Sequence, residues 1–184
     1  MSTATATTER AATWSIDPTH TDVAFAVRHM GLSTVRGRFD AVAGTVATDE
    51  NGAPTNVRVE IETASIGTGT ADRDAHLRSA DFFDADAHPT ITFASREVRA
   101  KGEGRYDIVG DLTMHGQTRE VVLGAEIGEP IQDPFGLTRR AASASGKINR
   151  KDWGLTWNQV LEAGALLVSE EVRITLDVQV TQQD

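Results

Sequence analysis

Residues Glu171 to Thr181 alternate without a break. Val172, Ile174, Leu176, Val178 and Val180 share one face, and Arg173, Thr175, Asp177 and Gln179 share the other. That period of two predicts a β-strand with one buried and one wet face. Val57, Val59 and Ile61 repeat the pattern against Arg58, Glu60 and Glu62. Val23, Phe25 and Val27 form a further apolar face, as do Ile108 with Leu112, and Val121 with Leu123, Ala125 and Ile127. Turn signals separate these runs at Glu50-Asn51-Gly52, Lys101 to Gly104, His115-Gly116 and Asp133 to Gly136. About nine strand candidates with hairpin-length gaps predict an all-β chain with an antiparallel sheet. Its apolar face must be covered, either in a sandwich or by closure into a barrel. Runs of about ten residues suit a tilted barrel, whose interior is filled by side chains or holds one small ligand. Small residues at Ala141, Ala142, Ala144 and Gly146 favour a cavity, while a packed interior of Val, Leu and Ile fits nearly as well.

One block departs from this pattern. Ser65 to Phe93 passes from a glycine-hinged turn into a charged helix and back to a strand with Ile91 and Phe93 on one face. Thr70 is positioned to cap the helix, and Asp72 and Asp74 fall in its first turn, where carboxylates suit the helix dipole. Asp74 and Arg78 are spaced to pair across one turn. Phe82 and Phe83 are expected to end the helix, and His88 before Pro89 to be extended. A polar helix between strands reads as an end piece locked onto the sheet structure.

Composition narrows the function. The net charge of −9 argues against nucleic acid and against an anionic membrane surface. No apolar run approaches the ~20 residues of a membrane helix, so stable membrane insertion is not expected. The absence of cysteine removes disulfides and thiolate chemistry. Met1 to Thr13 has neither a basic start nor an apolar run. It reads as a flexible tail over 1–12 before one domain over 13–182, in a cytoplasmic protein. The five histidines show no metal-ligand spacing, and no nucleophile-elbow, phosphate-loop or dinucleotide motif appears, so neither a metal nor a cofactor is expected.

Four separated segments carry a resemblance: Thr13–Phe39, Ser65–Phe93, Gly110–Val121 (GDLTMHGQTREV) and Ile148–Leu155 (INRKDWGL). In this order the chain resembles the YceI-like family of lipid-binding, or polyisoprenoid-binding, proteins over Trp14 to about Val180. The resemblance implies an extended eight-stranded antiparallel β-barrel, lipocalin-like, with one or two short helices. It also implies an elongated apolar cavity for an isoprenoid or other long-chain lipid. Many such relatives are periplasmic and carry a signal peptide; this chain departs from them in its N-terminal segment.

A long hydrocarbon needs a dry slot, where each buried methylene gains roughly 0.8 kcal/mol. The inward phase offers Phe25, Val27, Phe39, Ile61, Ile91, Phe93, Ile108, Leu112, Ile148 and Ile174 as its lining, unless they simply pack a filled core. His29 shares that phase at a strand end. It is placed either to meet a ligand head group or to form a structural hydrogen bond. Arg36 and Arg38 are expected as solvated strand charges rather than head-group ligands. Trp153 and Trp157 are expected to close one end of the cavity or to anchor a loop. The expected function is non-catalytic lipid carriage, storage or scavenging. Its rivals are an enzyme using His29 or His115 on a hydrophobic substrate, and a filled barrel acting as an interaction module. An open sheet edge would favour a homodimer.

Overall fold

The structure, a computed structural model, describes residues 11–183. The expected tail over 1–12 lies mostly outside these residues; at its end, Ala12 already opens the first strand.

Twelve strand segments occur among the described residues. They are β1 (Ala12–Ile16), β2 (Asp22–His29), β3 (Ser33–Phe39), β4 (Val42–Thr48), β5 (Pro54–Glu62) and β6 (Ile66–Gly67). After the helix α1 (Ala71–Arg78) come β7 (Thr90–Gly102), β8 (Arg105–Met114), β9 (Gln117–Ile127), β10 (Ile131–Gln132), β11 (Thr138–Asn149) and β12 (Glu171–Gln182). Several segments are halves of one longer strand. β1 and β2 lie along the same edge of β12, at Val180 to Gln182 and at Arg173 to Asp177. β3 and β4 run back along β2 and β1, and β5 and β6 run along β4 and β3.

The result is a closed eight-strand antiparallel barrel. The pairing of β11 with β12, eleven residues long from Arg139–Thr181 to Asn149–Glu171, closes it. The expected hairpin turns all occur between paired strands. At His115-Gly116 both residues have positive φ (50° and 70°), the geometry a two-residue hairpin requires. With the ring closed, the segments left paired on one side at the ends of the strand order are the two-residue β10 and β6.

The two ends differ. One end carries the hairpins at 49–53, 101–104 and 128–137. The other carries the turn after β2, the segment from Gly67 to Pro89 with α1, and the long connection from β11 to β12. The short helix Arg150–Trp153 opens that connection. Trp153, 1% exposed, reaches into the interior and donates from Nε1 to Leu112 O at 2.9 Å. It packs with Leu155 against Ile91, Phe93, Ile108, Met114, Val121 and Ala125 in one buried cluster on β7, β8 and β9.

The block from Ser65 to Phe93 differs locally from expectation. α1 ends at Arg78, and Phe82 and Phe83 lie in the turns beyond it, with Asp84 at φ 46°. Thr70 occupies the N-cap, but its hydroxyl accepts from Arg73 Nη2 instead of a helix N–H. Asp74 does not pair with Arg78. It accepts from Thr68 N and Oγ1, while Arg78 donates to the carbonyls of Ala64 and Ile66. The backbone before the helix offered unsatisfied groups closer than the facing side chain, and these captured both charges.

Candidate functional site

The inward side chains of β12 show what the interior is. Val172, Ile174, Leu176 and Val178 face away from bulk water, yet each retains intermediate exposure. Packed core residues would be buried; these are accessible from inside. The interior is a hollow of about 580 Å³, within the roughly 300–1,000 Å³ of small-molecule sites. At about 30 Å³ per water-sized group it holds on the order of twenty such groups. The filled-barrel alternative is therefore not what forms.

Each strand contributes through its period of two. β2 supplies Phe25, Val27 and His29, β3 supplies Phe39, and β5 supplies Ile61. Ile91 and Phe93 come from β7, Ile108 and Leu112 from β8, Ile148 from β11 and Ile174 from β12. Trp157 comes from the long connection. All these sequence-selected residues line the one hollow. Trp153 does not; it is buried beside Leu155 in the cluster that backs the wall. Arg36 and Arg38 lie outside the wall, and Arg38 pairs with Asp40.

The hollow is open at the α1 end, where wall residues Asp72 and Arg73 are exposed. Arg73 is held by Thr68 and Thr70. The His76 ring stands edge-on to Phe82 and Trp157, at centroid distances of 5.1 and 4.7 Å, and contacts Asp81 through Nε2 at 2.9 Å. This aromatic cluster joins the helical block to the long connection. Phe83 continues it inward, edge-on to Phe39 at 5.9 Å, and Phe39 meets Phe25 at 5.8 Å. The block Ser65–Phe93, expected mainly as an end lock, thus also supplies cavity wall. The His29 ring lies near this mouth with no hydrogen-bond partner among the described residues.

Arg150 holds the connection in place. It is 4% exposed and donates to the carbonyls of Leu155, Trp157, Val168 and Ser169. Burial lowers its pKa, which Glu170 partly offsets; a guanidinium stays charged regardless. Four carbonyls thus converge on one planar cation, fixing Trp157 at the mouth.

The opposite end is sealed. Trp14 (3% exposed), Thr48 (7%) and Arg140 (7%) close it. Trp14 Nε1 donates to Thr48 Oγ1 at 3.1 Å, and the Arg140 guanidinium lies 5.6 Å from the Trp14 ring centroid. Sequence reading passed over Arg140, Trp14 and the α1 contributors. For Arg140 the signal was its phase, which it shares with Ala142, Ala144 and Ile148. For α1 no sequence signal existed, because its apolar content is too low to mark an inner face.

Comparison with known proteins agrees with this geometry. The YceI-like domain family matches residues 14–180. A UPF0312 protein of Vibrio cholerae is 40% identical over 152 residues, covering 82% of this chain and 79% of that protein. The crystal structure of a Campylobacter jejuni YCEI protein superposes with a TM-score of 0.74 at 26% identity, covering 85% of this chain and 90% of that one. A polyisoprenoid binding domain from Saccharophagus degradans, implicated in plant cell wall breakdown, superposes at TM-score 0.70 over 92% of this chain and 98% of that one. At 18% identity the last likeness speaks to the fold.

Proposed function

The chain belongs to the YceI-like family, and from that premise we propose that it binds one amphiphilic long-chain lipid, a polyisoprenoid or isoprenoid quinone, inside the barrel without transforming it. The observation that carries this reading is the hollow of about 580 Å³, open at one end and lined chiefly by apolar side chains. Its wall gives a hydrocarbon contact on all sides and offers polar atoms chiefly at the two ends. The description of the Saccharophagus neighbour as a polyisoprenoid binding domain supports the same ligand class. The lining assigned to the ligand comprises Phe25, Val27, Phe39, Ile61, Ile91, Phe93, Ile108, Leu112, Ile148 and Ile174, with His29 and Trp157 at the mouth.

His29 has no hydrogen-bond partner among the described residues, and His76 pairs with Asp81; the absence of turnover is part of the proposal. Carriage, storage and scavenging all use such a site. Among the described residues no helix is long and apolar enough to cross a membrane. A cytoplasmic placement is part of the proposal and is checked by cell fractionation.

The decisive experiment extracts the purified protein with organic solvent and analyses the extract by mass spectrometry. It then titrates the delipidated protein with isoprenoid quinones and prenyl alcohols. A co-purifying isoprenoid, recovered chemically unchanged after incubation, is the expected result. Absence of any lipid together with no binding of these probes would sink the reading.

A further inference from the structure

Arg140 is a wall residue whose chemistry the hydrocarbon reading leaves unused. It lies on β11 in phase with Ala142 and Ala144, opposite Val180 on β12, so its side chain points into the barrel. It is 7% exposed. Nε donates to Gly128 O at 3.0 Å and Nη1 to Gly52 O at 2.7 Å, tying together two hairpins at the sealed end. Nη2 has no acceptor, and the guanidinium makes no ion pair, among the described residues.

The contrast with the other buried arginine is instructive. Arg150 spreads its N–H groups over four carbonyls, and Glu170 acts on it through space. Arg140 has two carbonyls and the face of Trp14. A buried cation without a counter-charge is costly. Here it lies at the blind end of an otherwise apolar hollow, beside the Thr48 hydroxyl. A planar guanidinium with free N–H groups fits a carboxylate, and such charge-assisted bonds are the stronger kind.

We infer that the sealed end is a receptor for the carboxylate of a lipid acid, which enters head-first and lays its tail toward the α1 mouth. The inference rests on the reading of a long-chain lipid in the hollow; it fixes the orientation and replaces the quinone end group with a carboxylate. The mouth, with exposed Asp72 beside Arg73, then meets the tail or a second polar group rather than the primary head.

The test compares delipidated full-length protein binding palmitic acid, methyl palmitate and hexadecanol. Wild type is expected to prefer the acid by roughly tenfold or more. Arg140→Met is expected to abolish that preference while retaining the ester and alcohol. A second measurement needs no change at Arg140. In a Trp157→Phe background Trp14 and Trp153 remain, and the Trp14 emission, taken as the difference from Trp14→Phe/Trp157→Phe, should be quenched more by stearic acid spin-labelled beside its carboxyl than by stearic acid labelled beside its methyl end. Equal affinity for acid and ester, or stronger quenching from the methyl-end label, overturns the inference and leaves lipid binding standing. Failure of all three palmityl probes to bind also overturns the inference, while lipid binding itself stands or falls with the isoprenoid titration above.

Discussion

At Gly110 the barrel wall has no room for a methyl group. An added Cβ would stand 2.5 Å from Ala94 O and 2.6 Å from Phe93 Cζ. At Gly37 the nearest atom is Phe25 Cζ at 2.3 Å, the far end of a side chain that borders the hollow. The two glycines therefore differ in what must yield. Gly110→Ala presses on a paired strand and is expected to cost about 1–3 kcal/mol, as overpacking does. Gly37→Ala tips Phe25 into empty space and should cost less than about 1 kcal/mol while shrinking the hollow. Urea denaturation of both variants checks the order; equal losses would show that Phe25 is not free to move. At this scale the inward residues were legible, since strand phase alone assigns a side chain to one face. The partner of each polar side chain was not. Thr68, rather than Arg78, takes Asp74 because a turn brings its N–H and hydroxyl close, and no spacing rule encodes that turn.

Among elements, the telling contact joins the bend between β1 and β2 to the hairpin before β11. Arg139 donates to Asp17 at 2.7 Å and to Asp133 at 2.6 Å, a clamp spanning 122 positions of sequence. Asp17 also accepts from Thr19 and contacts His20. The Thr19 hydroxyl, then His20 and Arg139, hold its carboxyl well below the usual carboxylate range. Arg139, aided by the backbone N–H groups of Leu137 and Phe135, does the same for Asp133. A folded-state pKa below the unfolded one stabilises the ionised form. The contribution is thus complete above the ordinary aspartate value of about 3.9 and is lost as pH falls toward the folded value. Asp17→Asn is therefore expected to lower Tm at neutral pH, with the gap to wild type narrowing steadily below about pH 4. A gap independent of pH would assign the loss to packing instead. The strands joined by this clamp were legible as alternating runs, and the hairpin as Asp133 to Gly136. Their meeting was not, because only barrel closure brings the two ends of the sheet together.

For the whole molecule, the consequential fact is that the interior is hollow. Ala144 and Ala125 face each other across β11 and β9, inside the barrel, where larger side chains would fill space. Ala144→Phe should occupy part of the 580 Å³ hollow. It is expected to weaken lipid binding by roughly tenfold or more, and to leave stability unchanged or raise it by about 0.5–2 kcal/mol, as filling a cavity does. Calorimetric titration and thermal melts check the two halves separately. Undiminished binding would mean that the lipid lies elsewhere than against this wall.

Alternation with a period of two, punctuated by turn residues, was enough to determine an antiparallel all-β chain and the faces of its strands. This is because strand geometry is local and sends successive side chains to opposite sides. Four blocks of family text were enough for the barrel itself. Whether that barrel is filled or hollow depends on how side-chain volumes from eight strands sum around a closed ring, with Trp153 entering from a distant connection. Local pattern carries no such sum. The same holds for Arg140: its phase in the sequence points inward, but only closure of the ring places it at the blind end of an apolar cavity, without a carboxylate beside it.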